Sequence, residues 1–199
     1  MAMSDLTPVD GELAQQLSDV VKQLTLLNEK VALIEEQLTL IPDLDRYGKL
    51  QRLLAAGDFR AADQETSNVI LESAVRTRDT FTPEDMKQFP CNILQVIDRL
   101  WRTYSHDRFG FSIQLDLYQK ADGNVDTLRA QNAQALQKLG DTNGWRIDGQ
   151  WQGDNYENWD FTLSAPHGCF PAIWWKSPYG LKMANFCFLR IIECNLSKN

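Results

Sequence analysis

The first 42 residues carry apolar side chains at alternating steps of four and three. No step is missed between Leu13 and Ile41, so the apolar period is 3.5 residues over four heptads. A helix that docks on its own domain shows a wider apolar stripe than this narrow seam. We therefore predict a left-handed coiled-coil helix over residues 1–42, ended by Pro42, and homo-oligomerisation through residues 13–41. The seam positions are Leu13, Leu17, Val20, Leu24, Leu27, Val31, Ile34, Leu38 and Ile41.

The seam does not determine how many helices associate, because leucine and β-branched residues are mixed at both its a and its d positions. Lys30 at g and Glu35 at the following e would attract each other in a parallel pair. One exposed pair contributes little free energy, so strand number and orientation stay open at this point.

Residues 43–199 have the pattern of short helices separated by turn signals. Asp58 is a suitable N-cap, and Thr82 precedes a proline and two acids, as at many helix starts. Pro90 begins another helical pattern. We predict one further helix over residues 125–139, ended by Gly140.

Two stretches have no clear helical period. Residues 109–117 alternate strictly between apolar and polar, which favours a strand, yet Phe111, Leu115 and Tyr118 also share a helical face. Periodicity leaves both alternatives open. Residues 144–164 are rich in Trp, Gly, Asn and Asp without any period, which indicates a loop with aromatic anchors.

Charge and composition exclude several classes of protein. The chain has 27 acidic and 20 basic residues, and residues 1–42 alone carry a net charge of −5. Nucleic acid is therefore excluded as the principal partner, since phosphate binding needs clustered Lys and Arg. No apolar run reaches the roughly 18 residues of a transmembrane helix, and no signal peptide is visible. We expect a cytoplasmic protein without a transmembrane segment.

Motifs of catalysis are missing from the sequence. Cys91, Cys169, Cys187 and Cys194 form no C-x-x-C pair, and we predict that all four are reduced. Two histidines are too few for most His-based metal sites. No phosphate-binding loop, dinucleotide fingerprint or nucleophile elbow is present. We predict a protein that is not an enzyme, with no catalytic residue, no metal site and no intrinsic cofactor.

An ordered set of landmarks is more specific than any of its parts. It comprises Phe59-x-x-Ala62-Asp63, Phe89-Pro90-Cys91, Ile97-Asp98-x-Leu100-Trp101, Phe109-Gly110-Phe111-Ser112, Gly144-Trp145, Trp159-x-Phe161-x-Leu163-Ser164-Ala165-Pro166-x-Gly168 and Phe170-Pro171. In this order they resemble the genomes-uncoupled-four family, the porphyrin-binding proteins of oxygenic phototrophs that stimulate magnesium chelatase in chlorophyll biosynthesis. The N-terminal heptads indicate a divergent, coiled-coil-bearing paralogue.

The resemblance implies an all-α fold: a compact, cupped helical domain over residues 43–199, preceded by the coiled-coil helix. Residues 109–117 would then be helical. The ligand would be protoporphyrin IX, Mg-protoporphyrin IX or a bilin. The partner would be the large subunit of magnesium chelatase, in the cytoplasm of a cyanobacterial-type cell, with peripheral membrane association as an alternative location.

The resemblance also suggests where the tetrapyrrole binds. In the family one pocket wall precedes the Phe-Pro motif, which corresponds here to residues 81–89. The segment after Ala165 is aromatic and locally basic, which suits a macrocycle with two propionates. The candidate ligand-binding residues are Phe81, Met86, Trp159, Phe170, Trp174, Trp175, Lys176, Tyr179 and Lys182.

Two other functions remain open. The chain could be a bilin-binding regulator that does not act on the chelatase. It could also be a coiled-coil adaptor that has kept the fold without the ligand.

Overall fold

The structure is a computed structural model that describes residues 8–172 and 177–196. The side chains of residues 8–13, 32–45 and 154 also lie outside the description. The chain forms two compact units, Met1–Arg46 and Tyr47–Asn199. None of the helices within the described ranges is long and apolar enough to cross a membrane.

Helix α1 spans Pro8–Ala55, which confirms a helix over the heptad segment. The prediction that Pro42 ends this helix is wrong. A proline inside a helix removes one backbone donor and strains the preceding turn, but it does not prevent later turns from forming. Those later turns are stabilised by packing, because Tyr47, Leu50 and Leu54 are buried in the core of the second unit.

The remaining elements of the second unit are mostly short helices. Asp58 caps the first of them by accepting a hydrogen bond from the Ala61 N–H at 3.0 Å, as the sequence predicted. Residues 146–151, which the sequence predicted as loop, form a small antiparallel hairpin with two residues in each strand. The elements are α2 (Phe59–Ser73), α3 (Pro83–Lys87), α4 (Cys91–Tyr104), α5 (Phe111–Lys120), α6 (Val125–Arg129), α7 (Ala133–Asn143), β1 (Arg146–Ile147), β2 (Gln150–Trp151), a 3₁₀ helix (Gly153–Asn158) and α8 (Leu181–Glu193).

The single helix predicted over residues 125–139 is wrong, because the structure has two helices there. Gln131 has φ +52°, which no right-handed helix accommodates, and the Asn132 side chain caps α7 through the Gln134 N–H at 2.9 Å. Helix α7 also continues past Gly140 to Asn143 and is followed by Gly144, a left-handed cap residue with φ +79°.

Residues 109–117 contain no strand. Helix α5 begins at Phe111, which confirms the helix that the family resemblance implied for all of these residues except Phe109 and Gly110. Buried side chains lie on nearly all sides of this helix. The alternation of apolar and polar residues therefore does not distinguish a buried face from an exposed one. Asp98 accepts a hydrogen bond from the Ser112 N–H at 2.8 Å at the start of α5. Gly110 has φ +143°, and a Cβ there would lie 2.8 Å from Asp98 Oδ1.

The prediction of four reduced cysteines is wrong for one pair. Cys91, the first residue of α4, forms a disulfide with Cys194, which follows α8. Their Cα atoms are 5.2 Å apart although they are 103 positions apart in the sequence. Cysteine spacing cannot reveal this pairing, because the tertiary fold alone brings these two helix ends together. Cys169 and Cys187 are free and buried.

Candidate ligand-binding site

Most of the predicted ligand-binding residues that the structure describes lie around residues 177–183, at the start of α8. Ser177 and Met183 line one cavity, and Gly180 and Leu181 line a second. Tyr179 and Lys182 are exposed on the same segment. One short stretch of chain therefore borders two apolar cavities and carries an aromatic ring and a cation at the surface.

The first cavity contains the predicted residues Phe81 and Met86, both buried. Its volume is about 30 Å³, enough for a water molecule and far below the roughly 300–1,000 Å³ of most ligand pockets. Burial raises the pKa of the Cys187 thiol to about 12, so this side chain is a neutral part of the apolar wall. The lining residues are Ser67, Ile70, Leu71, Arg78, Phe81, Met86, Phe111, Ser177, Met183 and Cys187.

Helix α3, which carries Met86, is held by a capping box at Thr82. The Thr82 hydroxyl accepts a hydrogen bond from the Asp85 N–H at 3.2 Å, and the Asp85 carboxylate accepts one from the Thr82 N–H at 2.9 Å. Arg76 donates to the other oxygen of Asp85 at 3.2 Å. Hydrogen bonds from Thr82, with the charge of Arg76, lower the pKa of Asp85 from 3.8 to about 2. The ionised carboxylate therefore stabilises this wall of the cavity.

We expect the capping box to make unfolding pH-dependent in acid. Because the folded-state pKa of Asp85 lies below its unfolded value, its stabilisation is complete above pH 3.8 and disappears as the pH falls towards about 2. In Asp85→Asn this component should be missing, so wild type and variant should converge in unfolding free energy at the acid end. Urea unfolding across this interval measures it. The control is Asp79→Asn, which changes an exposed aspartate in the loop before α3. An equal effect there would contradict the assignment.

The second cavity, of about 190 Å³, is formed mainly by tryptophans. Trp145 is buried and donates its indole N–H to the Cys169 carbonyl at 2.7 Å. Trp159 is half-buried and donates to the Gln152 carbonyl at 3.1 Å. Hydrogen bonds thus fix both indole rings, and the predicted residue Trp159 presents part of its ring to this cavity. The lining residues are Trp145, Trp151, Gly153, Trp159, Gly180 and Leu181.

The segment that leads towards residues 177–183 is anchored along residues 165–172. Asp63, buried in α2, accepts hydrogen bonds from the Ala172 N–H at 2.6 Å and from the Tyr156 hydroxyl at 2.7 Å. Burial and the neighbouring Asp63 carboxylate raise the pKa of Tyr156, which keeps its hydroxyl protonated as a donor. Further hydrogen bonds join Arg108 to the Ala165 carbonyl, Gly110 to the Phe170 carbonyl and Gln114 to the Pro171 carbonyl.

Phe170 is placed differently from the other candidates. It is fully buried and stacks on Phe161 and Trp101, with ring centroids 5.4 Å and 6.0 Å away. Its ring therefore belongs to the aromatic core and has no free surface for a ligand. Trp174, Trp175 and Lys176 lie outside the described residues, and their role stays a prediction.

Sequence reasoning missed several residues of this region. Arg78 is a half-buried cation on the first cavity, and its guanidinium donates to the Ser67 hydroxyl at 3.4 Å. In the sequence it stands between helices in a charged run without a period, so nothing distinguishes it from a solvated arginine. Trp145 and Trp151 were visible as anchors, but their position beside Leu181 depends on the tertiary fold.

Among the side chains that the structure describes, no three His, Cys, Asp or Glu lie close enough together to hold a metal ion. The site consists instead of apolar and aromatic walls with cations beside them, which suits a flat, largely apolar anion.

Comparison with protein families gives a match over residues 42–183, more than half of the chain, to the model described as GUN4-like, the genomes-uncoupled-four family. A Synechocystis protein named Ycf53-like protein is 31% identical over 131 residues, which cover 64% of this chain and 51% of that protein. A protein of Arabidopsis thaliana named tetrapyrrole-binding protein, chloroplastic, is 35% identical over 78 residues, or 37% of this chain and 29% of that one. The chain thus spans between 29% and 51% of these two relatives.

Two solved structures share the fold. Ligand-free GUN4 of Arabidopsis thaliana aligns with a TM-score of 0.55 and 20% identity, over 71% of this chain and 91% of that one. GUN4 of Chlamydomonas reinhardtii aligns with a TM-score of 0.53 and 22% identity, over 76% and 90%. These likenesses confirm the all-α fold that the landmarks implied.

Proposed function

Because the chain belongs to the GUN4-like family, we propose that it binds a tetrapyrrole and acts as a regulatory protein rather than as an enzyme. The supporting observation is the arrangement around residues 177–183. Phe81 and Met86 on one side, and Trp159 on the other, border a segment that exposes Tyr179 and Lys182. The relative named as a tetrapyrrole-binding protein supports the same ligand class.

The cavity volumes determine how such a ligand would bind. Neither cavity encloses the volume of a macrocycle, so the tetrapyrrole would lie partly exposed across residues 177–183. Apolar edges of the ring would contact the cavity mouths, and the propionates would face Lys182 and Arg78. A partly exposed macrocycle remains accessible to a second protein, which suits delivery or sensing more than storage.

Titration with protoporphyrin IX, Mg-protoporphyrin IX and a bilin, side by side, tests the proposal. We expect a saturable shift of the ligand's absorption band together with quenching of tryptophan emission, since Trp145, Trp151 and Trp159 lie beside the proposed site. The preferred ligand is the one with the lowest dissociation constant. Unchanged absorption and emission with all three, at tens of micromolar (about −6 kcal/mol of binding free energy), would instead favour the adaptor that has lost its ligand.

We also propose that the regulated partner is magnesium chelatase, as for the family. The test is the rate of magnesium insertion by purified chelatase at a fixed porphyrin concentration, with and without this protein. A higher rate is expected. Tetrapyrrole binding without any change in that rate would favour the bilin-type regulatory role and leave the binding proposal intact.

A further inference from the structure

The heptad helix exposes its apolar seam in the first unit. Leu17, Val20, Leu24, Leu27 and Val31 are between 43% and 59% exposed. The α-helical backbone continues beyond them through Ile34, Leu38 and Ile41, the next seam positions in the sequence. A continuous apolar line of this period is stabilised when a second helix of the same period packs against it.

Charges along this helix lie almost entirely away from the seam. Between Leu13 and Ile41 the acids are Asp19, Glu29, Glu35 and Glu36, and only Glu35 occupies a position that flanks the seam. Asp19 is engaged on the outer face, where it accepts a hydrogen bond from Gln15 at 3.2 Å and lies 3.9 Å from the Lys22 ammonium. An acidic segment would repel its own copy if these carboxylates bordered the seam, but all of them except that of Glu35 occupy positions away from it.

The flanking positions themselves are compatible with a parallel arrangement of identical chains. The g positions are Gln16, Gln23, Lys30 and Gln37, and the e positions are Val21, Asn28, Glu35 and Pro42. In a parallel, in-register pair each g residue faces the following e residue of the other copy. Lys30 then faces Glu35 in both directions, and no pair brings like charges together. In an antiparallel pair g faces g and e faces e, so this complementarity is lost.

We propose that residues 13–41 form a parallel, in-register coiled coil with a second copy of this chain. A lipid surface is a poorer occupant, because helices that bind anionic membranes have a wide apolar face bordered by basic residues. This helix has only two basic residues between Leu13 and Ile41, Lys22 and Lys30, and belongs to a segment with a net charge of −5. Association would place at least two copies of the second unit in one particle, which raises their avidity for a shared partner.

Three neighbouring leucines allow a matched test. Leu24, Leu26 and Leu27 are 53%, 53% and 55% exposed, yet only Leu24 and Leu27 are seam residues, whereas Leu26 lies at position c. Light scattering over a concentration series should give the full chain a multiple of its 22.8 kDa mass. Leu24→Lys or Leu27→Lys should raise the dissociation constant at least about a hundredfold, because a buried ammonium has no partner in the seam. Leu26→Lys should leave the mass unchanged.

Orientation is tested by exchanging the charges of the flanking pair. Lys30→Glu alone places two carboxylates opposite each other, and Glu35→Lys alone places two ammonium groups opposite each other, so each should weaken association. The double exchange should restore it. A monomeric wild-type chain at every concentration, or equal dissociation by Leu26→Lys and Leu24→Lys, would overturn self-association through this seam. If the double exchange weakens association by the sum of the two single effects, the parallel register is wrong.

Discussion

Reduction of the Cys91–Cys194 disulfide is expected to lower the free energy of unfolding by roughly 4–5 kcal/mol. The bridge closes a loop of 103 residues. Closing a loop of that length lowers the conformational entropy of the unfolded chain, which stabilises the folded state by about this amount. The effect would be a large fraction of the 5–15 kcal/mol typical of folded domains. Guanidinium unfolding of the chain with and without a dithiol reductant measures it.

Cysteine variants separate loss of the bridge from other effects of the reductant. Cys91→Ser should lower the free energy of unfolding as reduction does. The double variant Cys91→Ser with Cys194→Ser should lower it only a little further. Neither variant should respond to reductant. The two free thiols are buried with raised pKa values, so they should remain inert. If the guanidinium midpoint of wild-type unfolding does not change on reduction, the bridge between these residues is contradicted.

Charge reversal at Lys182 or Arg78 is expected to weaken binding of a free-acid porphyrin about ten- to hundredfold. Both cations lie at the proposed site, and propionates would form charge-assisted hydrogen bonds with them. Arg78 is half-buried while Lys182 is exposed, so Arg78→Glu should have the larger effect and Lys182→Glu the stronger dependence on salt. Titrations followed by absorbance at low and high salt measure both.

Two controls make the assignment specific. Lys120→Glu reverses an exposed lysine that lines neither cavity and is paired with Asp116 at 2.8 Å. It should leave binding unchanged. A porphyrin with esterified propionates should bind wild type and Lys182→Glu alike, because it offers no carboxylate to a cation. Equal binding of the free acid to wild type, Lys182→Glu and Arg78→Glu would show that the propionates lie elsewhere, and would leave Lys176 as the remaining candidate.

Local patterns in the sequence determined much of this protein. The heptads predicted a helix, and a helix is present there. Asp58 and Thr82 were identified as cap residues, because capping joins a side chain to backbone groups only three positions away. The ordered landmarks identified the family, and with it the helical state of residues 111–117, which periodicity alone left open.

Tertiary structure alone decided the rest. It paired Cys91 with Cys194, placed Arg78 on a cavity beside Met86, and enclosed Phe170 in the aromatic core. The type and local sequence of these residues do not reveal their roles. A cysteine at a helix start can be free or bridged, and a phenylalanine before a proline can lie in the core or in a pocket wall. The difference is made by groups on other elements of the fold, such as Cys194 for Cys91 and Trp101 for Phe170, whose approach depends on how the intervening helices pack.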